Sequence, residues 1–341
     1  MSNINTQDAK SQYFKFKYVE LPDEPSDFAV ALSDKSAKGK ERPWRRYKMA
    51  NEYLAIAYDD IDSKKADRLR VCGKTLVFDV DSDGNKHLSF AESCRVRLCP
   101  LCSWRRSLKC FYNTMAIINY IRDNDLRYSY VFITLTVKNC NADNLSDTID
   151  LLYAAIKRFT QRKEIKKAFR GCVRNLEVTH NVDRNSKSFD TYHPHFHCIF
   201  AVKPSYFKDT KVYLSRTKIS EIWQDCLQVD YKVQVDVRAC YDNTAHAVAE
   251  ASKYAAKASD YLILDDWDLT VDTVRTLDKA LANRRLVNYS GIFRDVKARL
   301  NLSDIDDADL VHVNNDVVEA DVVSHREFYY WYSGYNQYYK V

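Results

Sequence analysis

Three histidines stand within five residues, His193-Pro194-His195-Phe196-His197. Imidazole binds divalent ions and carries protons near neutrality. Alternate side chains of a strand share a face. His193, His195 and His197 therefore point one way, and Pro194, Phe196, Cys198 and Phe200 point the other, as a core face would. The segment VRNLEVTH precedes them across the polar stretch NVDRNSKS. With the turn centred near Ser186, antiparallel pairing sets Leu176 opposite Phe196 and Val178 opposite Pro194. The other face then brings Glu177 across from His195, Thr179 from His193 and Asn175 from His197, with opposed Cβ atoms about 4.5–5.5 Å apart. Two imidazoles and a carboxylate can hold a divalent ion and leave positions open for substrate. The competing readings are satisfied or exposed sheet histidines, and a turn of another length would slip the register by two.

A second group lies in HAVAEASKYAAKASDYL. A helix over 244–259 would set Glu250, Tyr254 and Lys257 on one face, since positions i, i+4 and i+7 are neighbours. An acid, a phenol and an ammonium together suit attack on a phosphodiester. The phenol, with a free pKa of about 10, needs help from a cation or base, and Glu250 could be that base for the phenol or for a later water. The plainer alternative is core packing for the tyrosine and surface pairing for the charges, and Tyr261, seven residues on, is a rival nucleophile.

A third group is Cys94, Cys99 and Cys102 in ESCRVRLCPLCSWRR, with Cys72-Gly73 upstream. A Cys-Pro-x-Cys turn with two further thiolates would close a tetrahedral structural zinc site, which has no open position for catalysis. Four ordinary buried thiols are the alternative. Arg95, Arg97, Arg105 and Arg106 surround the group and could reach DNA phosphates. The remaining six cysteines have no partner spacing and read as small core residues.

The elements that must position these groups follow from periodicity. Helical spacing marks 104–123, strand alternation marks 128–137, and a long helix over 145–170 ends at Gly171. Strands follow at 173–180 and 191–202, then a helix at 215–227, a strand at 231–239 and the helix at 244–259. The order implies an α+β fold, an antiparallel sheet with helices packed on it. The division expected along the chain is an N-terminal arm (1–65, partly flexible), a Cys-rich module (66–110), the domain carrying the histidines (111–262), and a C-terminal region (263–341) with an acidic stretch and a Tyr-rich tail.

Composition narrows the function. The 341 residues include only six glycines. They are too scattered for GxxxxGK[ST] or GxGxxG, so no nucleotide cofactor is expected and a P-loop motor or Rossmann enzyme is excluded. Net charge is +5, yet residues 302–321 hold seven acids and no Lys or Arg, leaving +12 on the remainder. Two basic stripes, 93–122 and 157–174, fit a polyanion such as nucleic acid. No apolar run reaches the roughly 18 residues of a membrane span, and the polar N-terminus carries no secretory h-region. The expectation is a cytoplasmic protein with reduced thiols and no membrane partner.

Taken in order, the motifs resemble the plasmid rolling-circle replication initiators (Rep proteins) of small Gram-positive bacterial plasmids, members of the HUH endonuclease superfamily. FITLTV is similar to the family's first motif, HPHFH contains its two histidines around an apolar residue as His195 and His197, and EASKYAAK is similar to the third motif. CRVRLCPLC, NLEVTHN, WQDCLQVDY and RRLVNYSGIFRDV also look like family sequence, so the resemblance spans about 70 to 325. It implies an HUH-type antiparallel sheet, a Cys-rich zinc module and a mostly helical C-terminal region. It implies Mg2+ or Mn2+ on His195, His197 and Glu177, with Tyr254 attacking a single-stranded nick site in an origin hairpin. The products would be a 5′-phosphotyrosine and a free 3′-OH. Glu250 would activate the closing water and Lys257 would contact phosphate or the phenolate. A host helicase and polymerase are the implied partners. The alternatives are a conjugative relaxase, a single-strand transposase (against which the Cys-rich module and long C-terminal region argue), or a zinc-stabilised DNA-binding regulator without nicking activity.

Overall fold

The computed structural model describes residues 24–341 except Asp27, Ala37, Asp125, residues 241–243, Tyr254 and residues 314–321. The chain divides into two compact units, one of Met1–Arg105 with Asp309–Val341 and one of Arg106–Ala308. Elements are numbered along the chain.

In the first unit, helices α1 (Trp44–Asp59) and α2 (Ser63–Val71) precede strands β1 (Thr75–Asp81) and β2 (Lys86–Ala91). Asp62 starts α2 by accepting a hydrogen bond from the Lys65 amide, a standard N-cap. The chain returns at its end as β8 (Val323–Tyr332) and β9 (Gln337–Lys340), giving an antiparallel sheet of order β2-β1-β8-β9. Aromatic residues suit the half-buried pleat of such strands, and Tyr329, Trp331 and Tyr338 are buried. The Tyr-rich tail thus supplies core residues. The described part of the expected arm is ordered. Helix α1 and the start of α2 lie within the expected arm, held by buried Leu54, Ala55, Ala57 and Tyr58. Residues 30–32 also bond along β9, Leu32 N to Tyr338 O and Lys340 N to Val30 O.

Most of helix α3 (Pro100–Asp123) belongs to the second unit, followed by β3 (Ser129–Thr136), α4 (Leu145–Gln161), α5 (Lys163–Ala168), β4 (Phe169–Asn181) and β5 (Thr191–Val202). Then come α6 (Arg216–Leu227), β6 (Val235–Cys240), α7 (Thr244–Ala251), α8 (Trp267–Leu281), β7 (Val287–Gly291) and α9 (Ile292–Arg299). Five strands pair antiparallel in the order β6-β3-β5-β4-β7. One sheet face is buried by Ile117, Ile118 and Ile121 of α3, Val248 of α7 and Phe293 of α9 around Phe132, Val173 and Ile199. On the other face Phe159 of α4 meets Phe200 and Trp223 edge-on.

Three differences from the sequence expectation have physical causes. The helix expected over 145–170 breaks at Arg162, and Phe169 already belongs to β4, its ring 4.5 Å from that of Phe200. Gly171 ends no helix. It lies in β4 opposite Gly291 of β7, where a side chain on either would strike the other strand's backbone. The C-terminal region is not mostly helical. It contributes β7 to one sheet and β8 and β9 to the other, which also cuts across the expected fourfold division of the chain.

Candidate functional site

The β4–β5 hairpin has the register expected from its alternation. Leu176 pairs with Phe196, Val178 with Pro194, Glu177 with His195, Thr179 with His193 and Asn175 with His197. Glu177, His195 and His197 are all buried. His197 Nε2 lies 2.7 Å from Glu177 Oε2, His195 Nε2 lies 3.5 Å from the same oxygen, and the two Nε2 atoms are 3.2 Å apart. The other ring nitrogens are held away from this focus. His195 Nδ1 is 3.0 Å from the His193 carbonyl oxygen, which accepts from it, and His197 Nδ1 is 3.3 Å from Thr134 Oγ1. An Nδ1–H donated to a carbonyl leaves the Nε2 lone pair pointing at the focus, the usual arrangement of an ion-binding histidine.

Three acceptors facing one another are unfavourable unless a proton or cation lies between them. Ligands about 2.1 Å from an ion are separated by about 3.0–3.4 Å in octahedral or tetrahedral shells, and the separations here are 2.7–3.5 Å. The donor set therefore fits a divalent ion. Burial raises the Glu177 pKa, but hydrogen bonds and charge from His195 and His197 outweigh it and hold the carboxyl well below the usual range. His193 remains outside the triad, its ring stacked 5.1 Å from that of His195. Burial and the neighbouring imidazole lower it to about 4. Thr134 was not singled out by sequence. Its signal is the FITLTV strand, which the topology sets beside the histidines.

The helix expected over 244–259 stops at Ala251. The carbonyls that would extend it are used on β4 instead: Asn175 Nδ2 donates to Lys253 O at 2.5 Å, and the Val178 amide to Ala255 O at 2.7 Å. Glu250 and Lys257 therefore do not lie on one continuous helix, which corrects the spacing argument. Glu250 pairs with Lys253 at 2.5 Å. Lys257 reaches Glu177 Oε1 at 3.2 Å. Burial lowers the Lys257 pKa, yet the Glu177 charge prevails and raises it. Tyr254 lies outside the described residues; the residues on either side of it are tied to the strand that carries Glu177. Tyr261 is 1% exposed.

In the first unit, Cys72, Cys94, Cys99 and Cys102 converge, all buried. Cys72 Sγ is 3.6 Å from the sulfurs of Cys99 and Cys102, and Cys94 Sγ is 3.7 Å from that of Cys102. Sulfurs 2.3 Å from a tetrahedral zinc are separated by about 3.8 Å, so the cluster fits that ion. The Cys94 amide donates to Cys72 Sγ and the Cys102 amide to Cys99 Sγ, each at 3.4 Å. Hydrogen bonds from Cys102 and Cys94 raise the Cys72 thiol, and burial raises that of Cys99. A bound cation would reverse that. Gly73, at φ +61°, turns the chain after Cys72 where a side chain would strike Leu101, and Tyr338 Oη donates to its carbonyl at 2.5 Å.

Of the four arginines, Arg105 is a correction. It is 9% exposed, it donates to the carbonyls of Leu310 and Val311 at 2.7 and 2.6 Å, and its guanidinium lies 5.4 and 5.3 Å from the rings of Trp44 and Trp104. Its guanidinium serves the core of the first unit, against the expected exposure to phosphate. Arg95 is exposed, while Arg97 and Arg106 are half-buried.

Fold and sites together define an α+β protein in which one antiparallel sheet presents two imidazoles and a carboxylate and a separate cluster gathers four thiols. A family model described as a replication protein matches residues 85–339. The protein rep of Lentilactobacillus hilgardii is 34% identical over 303 residues, covering 86% of this chain and 93% of that one. The protein rep of Bacillus amyloliquefaciens is 33% identical over 343 residues, 92% of this chain and 98% of that one. The protein rep of Streptococcus pneumoniae serotype 2 (strain D39) is 34% identical over 291 residues, with 84% and 88% covered. No solved structure matches. The chain belongs to this family of plasmid replication initiators. Among the described residues no helix is long and apolar enough to cross a membrane.

Proposed function

We propose that the protein starts rolling-circle plasmid replication by nicking one DNA strand at the origin and staying joined to its 5′ end. The observation that carries this reading is the convergence of His195, His197 and Glu177 across the β4–β5 pair. Membership of the replication-protein family supports it. His195, His197 and Glu177 would hold Mg2+ or Mn2+, which would polarise the scissile phosphate and neutralise charge on it. Tyr254, assigned from its motif, is the proposed nucleophile. Its oxygen bonds to phosphorus, the P–O3′ bond breaks, and the 3′ oxygen leaves and takes up a proton as the 3′-OH primer. Glu250 takes the phenol proton, or later that of the water that closes the cycle. Lys257 balances negative charge on the phosphate or phenolate.

The four cysteines would hold zinc as architecture, with Arg95, Arg97 and Arg106 as phosphate contacts beside them. Unwinding and synthesis fall to a host helicase and polymerase. The test is a single-stranded origin oligonucleotide incubated with Mn2+. A covalent protein–DNA adduct is expected from the wild type and none from Tyr254→Phe. An adduct that persists in Tyr254→Phe overturns the nucleophile, and no adduct from either protein overturns the nicking activity.

A further inference from the structure

The sheet of the second unit has a second face, turned away from His195 and Glu177, and it buries a cation with no counter-charge. Arg174 of β4 is 9% exposed. Its guanidinium carbon lies 4.6 Å from the ring centre of Tyr153 and 4.8 Å from that of Phe196. Nη1 is buried without a hydrogen-bond partner, and among the described residues no carboxylate forms an ion pair with the group. Arginine stays charged at every working pH. Removing it from water is costly unless it is paired, and two ring faces offset only part of that cost.

What lies beside it is a cavity of about 450 Å3, lined also by Lys157, Lys166 and Arg170 and by Asn288 and Ser290. Among the described residues no Asp or Glu lines it. Four cationic side chains therefore face one space without an acid. The planar fork of Arg174 suits the oxygens of a phosphate, and the cavity exceeds what one inorganic phosphate fills. Outside it lie exposed Lys163 and Lys167, with Glu164 between them in sequence, while Arg162 is paired with Asp225.

We infer that this cavity is a second phosphate-binding site, remote from the metal centre, that takes a backbone phosphate of a DNA strand. It does not depend on the nicking chemistry. The test uses the full chain in EDTA. One readout is the thermal midpoint in inorganic phosphate against chloride at equal ionic strength. The other is the salt dependence of binding to a fluorescent oligo-dT strand. Phosphate is expected to raise the wild-type midpoint, and Arg174→Lys, which keeps the charge and loses the fork, is expected to abolish the rise.

The exposed-rim variant Lys157→Ala/Lys166→Ala is expected to bind the strand about tenfold more weakly at low salt. Its slope of log affinity against log salt should fall by about 1.4, near 0.7 for each lost contact to a single strand. Loss of the phosphate rise in Arg174→Lys with an unchanged slope in the rim variant would keep the site but assign it to a free phosphate compound. A natively folded Arg174→Lys that keeps the full rise overturns the site, whatever the slope does.

Discussion

Glu177→Gln tests the metal reading most directly. The substitution keeps the shape of the side chain and removes the carboxylate charge that faces both Nε2 atoms, 2.7 Å from His197 and 3.5 Å from His195. Altering only the groups that orient a ligand lowers ion affinity by about 10–100-fold. Losing a direct carboxylate ligand belongs at or beyond the upper end, on the order of 100-fold or about 3 kcal/mol. A second effect has the same sign. Lys257, 3.2 Å from Glu177 Oε1, would be left as an unbalanced cation beside the ion. Its side chain is 43% exposed, so solvent limits that effect to about 1 kcal/mol or less. Titration of Mn2+ followed by electron paramagnetic resonance measures the affinity without any DNA substrate, and circular dichroism confirms folding. A folded Glu177→Gln protein that binds Mn2+ as tightly as the wild type would refute the assignment of this triad as the ion site.

The other predictions concern separate links in the same argument. Lys257→Met is expected to tighten Mn2+ binding by up to about fivefold, because a competing cation is removed, while lowering the yield of DNA adduct; weaker Mn2+ binding would show that Lys257 supports the site in some other way. Elemental analysis after dialysis should find about one zinc per chain, and Cys72→Ser should lose it together with several kcal/mol of stability; a zinc-free wild type removes this centre. Glu327 titrates at about 2 instead of 4.5, because hydrogen bonds from Lys340, Lys86 and Tyr329 outweigh burial. A lowered folded pKa gives stability that is present above about 4.5 and lost as pH falls toward 2. Glu327→Gln should therefore flatten the fall in thermal midpoint across that window and remove about 1 kcal/mol at neutral pH. Parallel acid curves for the two proteins would contradict the ion pairing.

The hairpin that carries the triad was legible because both strands alternate apolar and polar residues, so only one parity buries the apolar set. Parity alone leaves a slip of two open. The turn closes that gap: Asn181 Nδ2 donates to Ser186 Oγ and Ser188 Oγ, and the Asp190 amide donates to Asn181 O. The end of α7 was not legible. EASKYAAK is good helix sequence, and what overrides it is β4, whose Asn175 side-chain amide and Val178 backbone amide take the carbonyls of Lys253 and Ala255. Arg105 resembled a phosphate contact because it stands near Cys102, while its partners, Trp44 and Leu310, are far off in sequence. The same distance hid the role of EFYYWY, read only as part of a Tyr-rich tail, whose pairing partner Thr75–Asp81 lies far off in sequence.

That last pairing bears on how the protein is made. Strand β1 meets β8 with Thr75 opposite Tyr330, so the first unit cannot complete its sheet until the whole of Arg106–Ala308 has left the ribosome. The second unit, continuous in sequence, can fold during synthesis. The four cysteines emerge early, before the Tyr338 hydroxyl that secures Gly73 exists. The initiator should therefore acquire its histidine sheet first and its thiol module last, so that only a fully translated chain carries both.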